Sequence, residues 1–411
     1  NGGCDTFTRA AETGMHVYRV LDRWFERNCC WMHRARARAL VRAVSGLLRG
    51  GTLTLTHLGR SLPGSSFTKH KIKAVDRLLG NSRLHRERLD VYREMSATLL
   101  SGAQRPVILV DWSDFEPGHR WLMLKAAVAV HGRAITVYEE AHRLSSYNNP
   151  GTHRRFLGRL ARVIPSDCHP IIVTDAGFRG PWFQEVAKLG WDFVGRVRNR
   201  IKCTPEGGER WRYTTSLYRR ATHRVQHLGL WELSRKQPYT VRLYLSKMPS
   251  RGPGRPLKSH TKTKTPARSR KAYNDPWLIA TSLEHGRGRA KAVMKLYRKR
   301  MQIEETFRDL KDDRWGFALV LARSRSRQRR EILLLIAALA TWALWLLGLA
   351  ARARRWQRHF QANTERAREV LSVVFLGREL LRSRQFSPDR AELSAALHRL
   401  RALIRNQVVL A

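Results

Sequence analysis

The chain has 411 residues, which is enough for roughly three domains with buried cores. Its 78 Lys and Arg against 33 Asp and Glu give a formal net charge of +45, far outside the balance of an ordinary enzyme. This charge indicates a polyanionic partner, and it favours nucleic acid over a membrane surface. Because 43% of the residues are hydrophobic and 13 are Trp, the chain is not a basic disordered tail.

The five cysteines contain no CxxC pair and no regular spacing. This pattern speaks against a zinc ribbon and against the disulfide framework of a secreted protein. The first residues, which begin at Asn1, show no signal-peptide pattern. We therefore expect reduced thiols and a cytoplasmic protein.

Residues 15 to 100 have a helical pattern broken at Gly50-Gly51, Pro63-Gly64 and Gly80-Asn81. Several short helices with basic faces predict a helical DNA-binding domain at 1–100, of helix-turn-helix character. The alternative is a solvated charged face on a small helical bundle. The candidate DNA contacts on the fourth predicted helix are Lys69, Lys71, Lys73 and Arg77.

The pattern changes to alternating strands and helices after residue 106. Three strands in meander order come first, and they are followed by a helix, a strand, a helix and a strand, which predicts a mixed α/β sheet. Two of these strands each end in an aspartate, Asp111 and Asp175. The predicted strands are 107–110, 121–130, 134–139, 171–174 and 193–197, and the predicted helices are 152–164 and 181–189.

Residues 200–275 predict a β insertion, which ends in a flexible basic loop at 247–272. A strand at 277–280 and a helix at about 290–310 follow, so the catalytic domain spans 101–355. Residues 332–351 carry no charge and could span a membrane by length, but long core helices have the same hydropathy and we expect a buried helix. Residues 352–411 have an Arg-rich, amphipathic helical pattern. We therefore expect C-terminal helices, with a region at 356–411 that serves dimerisation or DNA contact.

The helix near residue 300 carries a polar stripe. At 100° per residue, Tyr297, Arg300, Glu304 and Lys311 fall within 60° of one another, and an apolar stripe lies beside them. A carboxylate held there with two cations and a phenol can face a cleft. From spacing alone, an ordinary solvated face is an equal alternative.

Glu304 and the two strand-end aspartates complete a set of three carboxylates. Brought together, they repel one another unless a cation neutralises them, and hard oxygen ligands suit Mg²⁺ or Mn²⁺. Such ions clamp the attacking and leaving oxygens of phosphoryl transfer. A DNA-binding chain with this triad, Asp111, Asp175 and Glu304, is expected to be a nuclease or strand-transfer enzyme. Asp114 is either a fourth ligand or a surface carboxylate.

These residues resemble the signature of a known family. The spacing Tyr297-x2-Arg300-x3-Glu304-x6-Lys311 is similar to the signature helix of the bacterial insertion-sequence DDE transposases called YREK, of the insertion-sequence family four type. The segments 110–114 and 173–178 resemble the first and second aspartate segments of that family, and segments within 53–81 resemble its N-terminal DNA-binding part. The likeness covers nearly the whole chain.

The resemblance implies a ribonuclease-H-like catalytic domain with a β insertion between the second and third acidic residues. It further implies a Mg²⁺-dependent cut-and-paste enzyme that nicks each transposon end, forms a hairpin and joins the ends to target DNA. The expected partners are double-stranded DNA, as terminal inverted repeats and target, and a second copy of the chain in a homodimer. We expect the protein in the bacterial nucleoid, and not in a membrane.

The resemblance also assigns roles to single residues. Arg300 and Lys311 would contact phosphates of the transposon end, Tyr297 would hold a phosphate through its hydroxyl, and Arg196 would add another phosphate contact. Trp277, which heads the strand Trp277-Leu-Ile-Ala-Thr-Ser-Leu283, would stack on a base flipped out near the cut. Without the resemblance, Trp277 reads as a core tryptophan.

Two other functions compete with this one. A catalytically inactive DNA-binding remnant, or an inhibitor of transposition, would lack an acidic residue, whereas all three are present. A membrane-associated basic protein would show flanking topology signals, whereas arginines lie on both sides of 332–351 and encode no orientation.

Overall fold

The computed structural model describes residues 20–116, 118, 120–198, 201–247, 275–362, 364–365, 368–383 and 385–407. Within these residues the protein is a mixed α/β chain of twelve α-helices and ten β-strands. They divide into two compact units, one holding the chain up to His169 and from Met301 to Gln407, the other holding Pro170–Arg300. The predicted basic loop 247–272 lies outside the described residues from 248 onward.

The first unit begins with five helices, which confirm the predicted helical pattern. Asn81 begins the last of them by accepting a hydrogen bond from the Leu84 amide through its side chain. The fourth carries the candidate DNA contacts, and Val75, Leu78 and Leu79 give it one buried face. The helices are α1 (20–28), α2 (Arg34–Leu48), α3 (Leu55–Arg60), α4 (Thr68–Leu79) and α5 (Ser82–Leu100).

Three antiparallel strands form the sheet of the first unit, in the order β3-β2-β1. The prediction that the first strand ends at Asp111 was wrong, because β1 continues to Asp114 and pairs with β2 along its whole length. Asp111 therefore lies inside a strand. The elements are β1 (Val107–Asp114), β2 (Trp121–Ala129), β3 (Ala134–Arg143) and the helix α6 (Pro150–Val163).

The second unit contains the other seven strands. β4 runs parallel to β5, and from β5 onward the order β5-β10-β9-β8-β6-β7 is antiparallel throughout. The β structure predicted after residue 200 is present as β6 to β9. The elements are β4 (Ile171–Thr174), α7 (Gly180–Lys188), β5 (Asp192–Val197), β6 (Lys202–Pro205), β7 (Arg212–Tyr213), β8 (Gln226–Leu233), β9 (Tyr239–Ser246), β10 (Trp277–Thr281) and α8 (Arg289–Arg298).

The signature helix is not continuous, which corrects the prediction of one helix over 290–310. Helix α8 ends at Arg298, and α9 (Met301–Lys311) begins in the first unit. No glycine or proline marks the break. The cause is tertiary packing, since α8 packs on β5 and β10 whereas α9 packs on β1, β2 and β3. Because the helix is interrupted between them, the 100° spacing does not place Tyr297 and Arg300 on one helix face with Glu304 and Lys311.

The apolar segment forms the central helix of the first unit, α10 (Arg327–Ala353). It is long and apolar enough to cross a membrane, but 94% of its most apolar window is buried inside the protein. It packs against β3, α2, α5 and the C-terminal helices. The expectation of a buried core helix is confirmed.

The C-terminal region, for which the sequence predicted helices, contains two α-helices in the described residues. They are α11 (Val373–Arg382) and α12 (Arg390–Arg405), and a capping box of Asp389 and Glu392 starts the second. Gly348 of α10 and Gly377 of α11 let the two backbones touch, because a Cβ at either glycine would overlap a carbonyl of the facing helix. Both helices pack on α10.

Candidate active site

Asp111 is a buried carboxylate in the middle of β1. The residue is 6% exposed, and its Oδ1 accepts a hydrogen bond from the Trp112 amide at 2.8 Å. Its register partner on β2 is Lys125. Because directly opposite residues of an antiparallel pair share a face, a cation lies on the same face as the first predicted catalytic residue.

Lys125 is a residue that the sequence analysis missed. Its Nζ lies 3.0 Å from Glu139 Oε2 on β3 and donates a hydrogen bond to Thr136, and both charged side chains are almost fully buried. The ammonium also lies 5.5 Å from the centre of the Phe307 ring of α9. A lysine inside the apolar strand Trp121–Ala129 was the signal in the sequence, because such a lysine needs a buried partner.

Helix α9 places Glu304 and Lys311 near the end of β1. Lys311 Nζ donates a hydrogen bond to Ser113 Oγ at 2.8 Å. Burial lowers the pKa of Lys311, and the carboxylates of Asp114 and Glu304 oppose that shift. Lys311 is therefore within electrostatic reach of both acids. Its hydrogen-bond partner Ser113 lies two residues after Asp111 on β1.

Asp175 follows β4 in the second unit and is half-buried. Its Oδ1 accepts a hydrogen bond from the Gly177 amide at 2.8 Å. A Cβ at position 177 would lie 3.0 Å from that same oxygen. The glycine therefore lets the turn close around the carboxylate, and the predicted strand end at Thr174 is confirmed.

Trp277 and Tyr297 touch in the second unit. Their ring centroids are 4.8 Å apart with planes at 83°, the edge-to-face geometry that aromatic pairs favour. Tyr297 is 5% exposed, whereas Trp277, the first residue of β10, is only half-buried. Arg300 follows α8 and is also half-buried.

Arg196 lies on β5, opposite Ile279 of β10. Its Nη2 donates a hydrogen bond to the Asp275 carbonyl at 3.1 Å, while its buried Nε has no hydrogen-bond partner in the described residues. Nearby Arg198 forms an ion pair with the Asp275 carboxylate at 3.3 Å. Arg196 is thus anchored by one edge of its guanidinium.

The predicted DNA contacts of α4 divide into two groups. Lys69, Lys73 and Arg77 are exposed and four residues apart, so they form one basic stripe along the helix. Lys71 projects from another side and is half-buried. Phe67, immediately before the helix, is 77% exposed beside them.

The three predicted metal ligands have the right chemistry for a hard divalent cation, since all are carboxylates. Asp111 and Glu304 belong to the first unit and Asp175 to the second. Among the residues that the structure describes, no group of three or more His, Cys, Asp or Glu side chains lies close enough together to hold a metal ion. The described chain thus contains the ligand types without a preformed cluster.

The four cysteines of the described residues have no contact with the residues of this site that the structure shows. Cys29, Cys30, Cys168 and Cys203 are all free, as expected for reduced cysteines. Burial raises the pKa of Cys29 to about 12 and that of Cys168 and Cys203 to about 11, which keeps these three thiols protonated and unreactive at neutral pH.

Comparison with known proteins identifies the family. Residues 102–341, more than half of the chain, match the family model described as the transposase DDE domain. The match includes Asp111, Asp175, Glu304 and Lys311, and it begins after α4 and its basic stripe. No curated protein sequence matches the chain significantly. The protein therefore belongs to the transposases with a DDE domain.

Proposed function

We propose that this protein is a cut-and-paste DNA transposase of the YREK type. It would bind the terminal inverted repeats of its element as a homodimer, nick them, form a hairpin and join the ends to target DNA in the nucleoid. The ribonuclease-H-like fold belongs to the same proposal. The three-stranded meander of the first unit and the parallel pair β4 and β5 of the second support it.

The observation that carries the proposal is the hydrogen bond between Lys311 and Ser113. It fixes the C-terminal end of the signature helix against β1, two residues beyond Asp111. Glu304, two helical turns before Lys311, lies close enough to affect the pKa of that lysine. Lys311 thus links the strand that carries Asp111 to the helix that carries Glu304, which supports a shared role for these two acids.

In this proposal Asp111, Asp175 and Glu304 hold the catalytic metal, Mg²⁺ or Mn²⁺. When bound, a divalent cation supplies an activated water and neutralises charge on the reacting phosphate. Lys311 would contact a DNA phosphate next to the carboxylates. Arg300, Arg196 and the α4 stripe would bind further phosphates, each contact releasing counterions from the DNA.

The test separates binding from cleavage. We expect Asp111→Asn, Asp175→Asn and Glu304→Gln each to abolish Mg²⁺-dependent nicking of a transposon-end duplex while gel shifts keep near wild-type affinity. Glu305→Gln is the matched control, because Glu305 is the neighbouring carboxylate on α9 and pairs with Arg133 and Arg308. Near wild-type nicking by any of the three variants would remove that residue from the triad.

Two outcomes would point to other functions. A wild-type protein that binds the ends but does not cut them in Mg²⁺ or Mn²⁺ would be an inactive DNA-binding remnant or inhibitor. DNA binding that does not weaken as salt rises would contradict the polyanion argument, since the slope of log affinity against log salt is about −0.9 per phosphate neutralised.

A further inference from the structure

A cavity of about 240 Å³ lies at the C-terminal end of α10, in the first unit. Four arginines and one glutamate supply the charges of its lining, which leaves an excess of three positive charges. The charged residues are Arg352, Arg355, Arg358, Arg368 and Glu369. We name this cavity the arginine pocket.

The internal contacts of the arginine pocket leave much of this charge unbalanced. Arg352 pairs with Glu369 at 3.2 Å, and Arg368 pairs more loosely with Glu365 at 3.6 Å. In the part of the chain that the structure describes, neither Arg355 nor Arg358 has an acidic partner. The pocket therefore has a positive potential that a bound anion would neutralise.

Arg355 occupies a backbone position that usually belongs to glycine. It follows the C-cap residue Arg354 of α10 with φ 58°, in the left-handed region. Glycine is the common residue at this place after a helix, since it has no Cβ to crowd the chain. An arginine there costs backbone energy without an internal ion pair in return, which points to a ligand for its guanidinium.

The arginine pocket adjoins a larger groove beside the signature helix. A cavity of about 650 Å³ is lined by Arg308 and Asp309 of α9 and by the exposed Trp315. Arg352 and Glu369 line both cavities, so this ion pair forms the wall between them. A polymer that lies along the groove from α9 would reach the arginine pocket next.

We propose that the arginine pocket binds a backbone phosphate of DNA, as a contact additional to those of the signature residues. The fork of an arginine guanidinium matches the oxygens of a phosphate, and several such forks in one small cavity suit a single phosphodiester. The inference rests on the proposed function, because it takes the partner to be DNA. A competing explanation is that these arginines only complement the dipole at the end of α10.

The experiment compares two triple variants that remove the same charge. Arg355→Gln, Arg358→Gln and Arg368→Gln together empty the pocket of three cations. Arg382→Gln, Arg390→Gln and Arg399→Gln together form the control, since these arginines are exposed on or beside α11 and α12 and do not line the pocket. Affinity for a labelled duplex of arbitrary sequence is measured by fluorescence anisotropy over a series of salt concentrations.

We expect the pocket variant to lose about tenfold in affinity and to reduce the salt slope by about one, as for the loss of one phosphate contact. The control variant should keep the wild-type slope. Equal losses in both variants would mean a general effect of net charge, and no loss in either would mean that DNA does not reach the pocket. Either result overturns the proposal.

A second measurement distinguishes DNA from a free anion. Inorganic phosphate should raise the melting temperature of the wild type and not that of the pocket variant. If phosphate protects the wild type but both variants bind DNA equally, the pocket takes a free anion and the DNA assignment is wrong. If the triple substitution prevents folding, Arg358→Gln against Arg399→Gln gives the same comparison, because Arg358 has no ion pair to lose.

Because these assays need no cleavage, they fail independently of the proposed function. Suppose that the wild type never cuts DNA, but that the pocket variant loses DNA affinity and has a smaller salt slope. That result would support the arginine pocket and count against the transposase activity. Normal cleavage with an unchanged slope in the pocket variant would do the reverse.

Discussion

The half-buried indole of Trp277 gives the most specific test of hairpin formation. The three residues that follow it in β10 are fully buried, whereas Trp277 is only half-buried and packs edge-to-face with Tyr297. A tryptophan that only filled the core would not need this exposure. We expect Trp277→Ala to spare the first nick and to slow closure of the hairpin.

The magnitude follows from the energy of stacking. Taking a base out of the duplex costs a few kcal/mol, and an aromatic platform returns about 1–3 kcal/mol of it. Loss of the platform should slow hairpin closure roughly five- to 150-fold. The cost to folding should stay below the ~3–5 kcal/mol of a fully buried tryptophan, because only part of the ring is packed.

The assay follows both steps on one labelled transposon end. Denaturing gels separate the nicked strand from the hairpin, so each rate is measured in the same reaction. Trp277→Phe is the control, since it keeps a ring against Tyr297 and should retain most of the hairpin rate. An abasic site at the flipped position should partly restore the rate of Trp277→Ala, because no base then has to leave the stack.

The reasoning would be refuted by a different pattern. If Trp277→Ala lowers the melting temperature strongly and reduces nicking and hairpin closure together, the tryptophan serves only the core. If the abasic substrate restores nothing while the fold is intact, the indole does not compensate for a flipped base.

Two further predictions concern the turn at Asp175 and the buried His153 of α6, whose ring accepts a hydrogen bond from the indole of Trp112, the residue after Asp111. Gly177→Ala should cut nicking by at least tenfold with DNA affinity unchanged, because the new Cβ would lie 3.0 Å from Asp175 Oδ1 and displace that carboxylate. Equal nicking rates in the variant and the wild type would show that the carboxylate position is not critical. Acid should destabilise the protein through His153, whose pKa burial and His142 lower to about 4 from 6.5. The unfolded chain takes up that proton first, so up to about 3 kcal/mol present above pH 6.5 is lost as the pH falls toward 4. Urea unfolding at several pH values should show a weaker dependence for His153→Phe, and an identical dependence would contradict this assignment.

Much of the architecture follows from local pattern alone. The 3.6-residue period and the glycine and proline breaks located the N-terminal helices, and the uncharged run at 332–351 located the core helix α10. The spacing of Tyr297, Arg300, Glu304 and Lys311 was sufficient to indicate the DDE transposase family, which the match over 102–341 confirms. These features are local because each depends on residues within a few turns of one another.

Other features depended on contacts between distant segments. The sequence ended β1 at Asp111, but pairing with β2 extends the strand to Asp114, and the hydrogen bonds that decide this come from another strand. The signature helix is broken at Lys299 and Arg300 without any helix breaker, since its halves pack on different strands.

The charged neighbours of the site were also decided by tertiary structure. In the sequence Lys125 is marked only as a lysine inside an apolar strand, and the register of three strands is what places it opposite Asp111 and beside Glu139. The arginine pocket likewise joins residues from the end of α10 to Arg368 and Glu369. In a chain of net charge +45, arginines alone do not mark a site. The sequence determined the chemistry of the residues, and the fold determined which of them act together, because register and packing involve residues far apart in the chain.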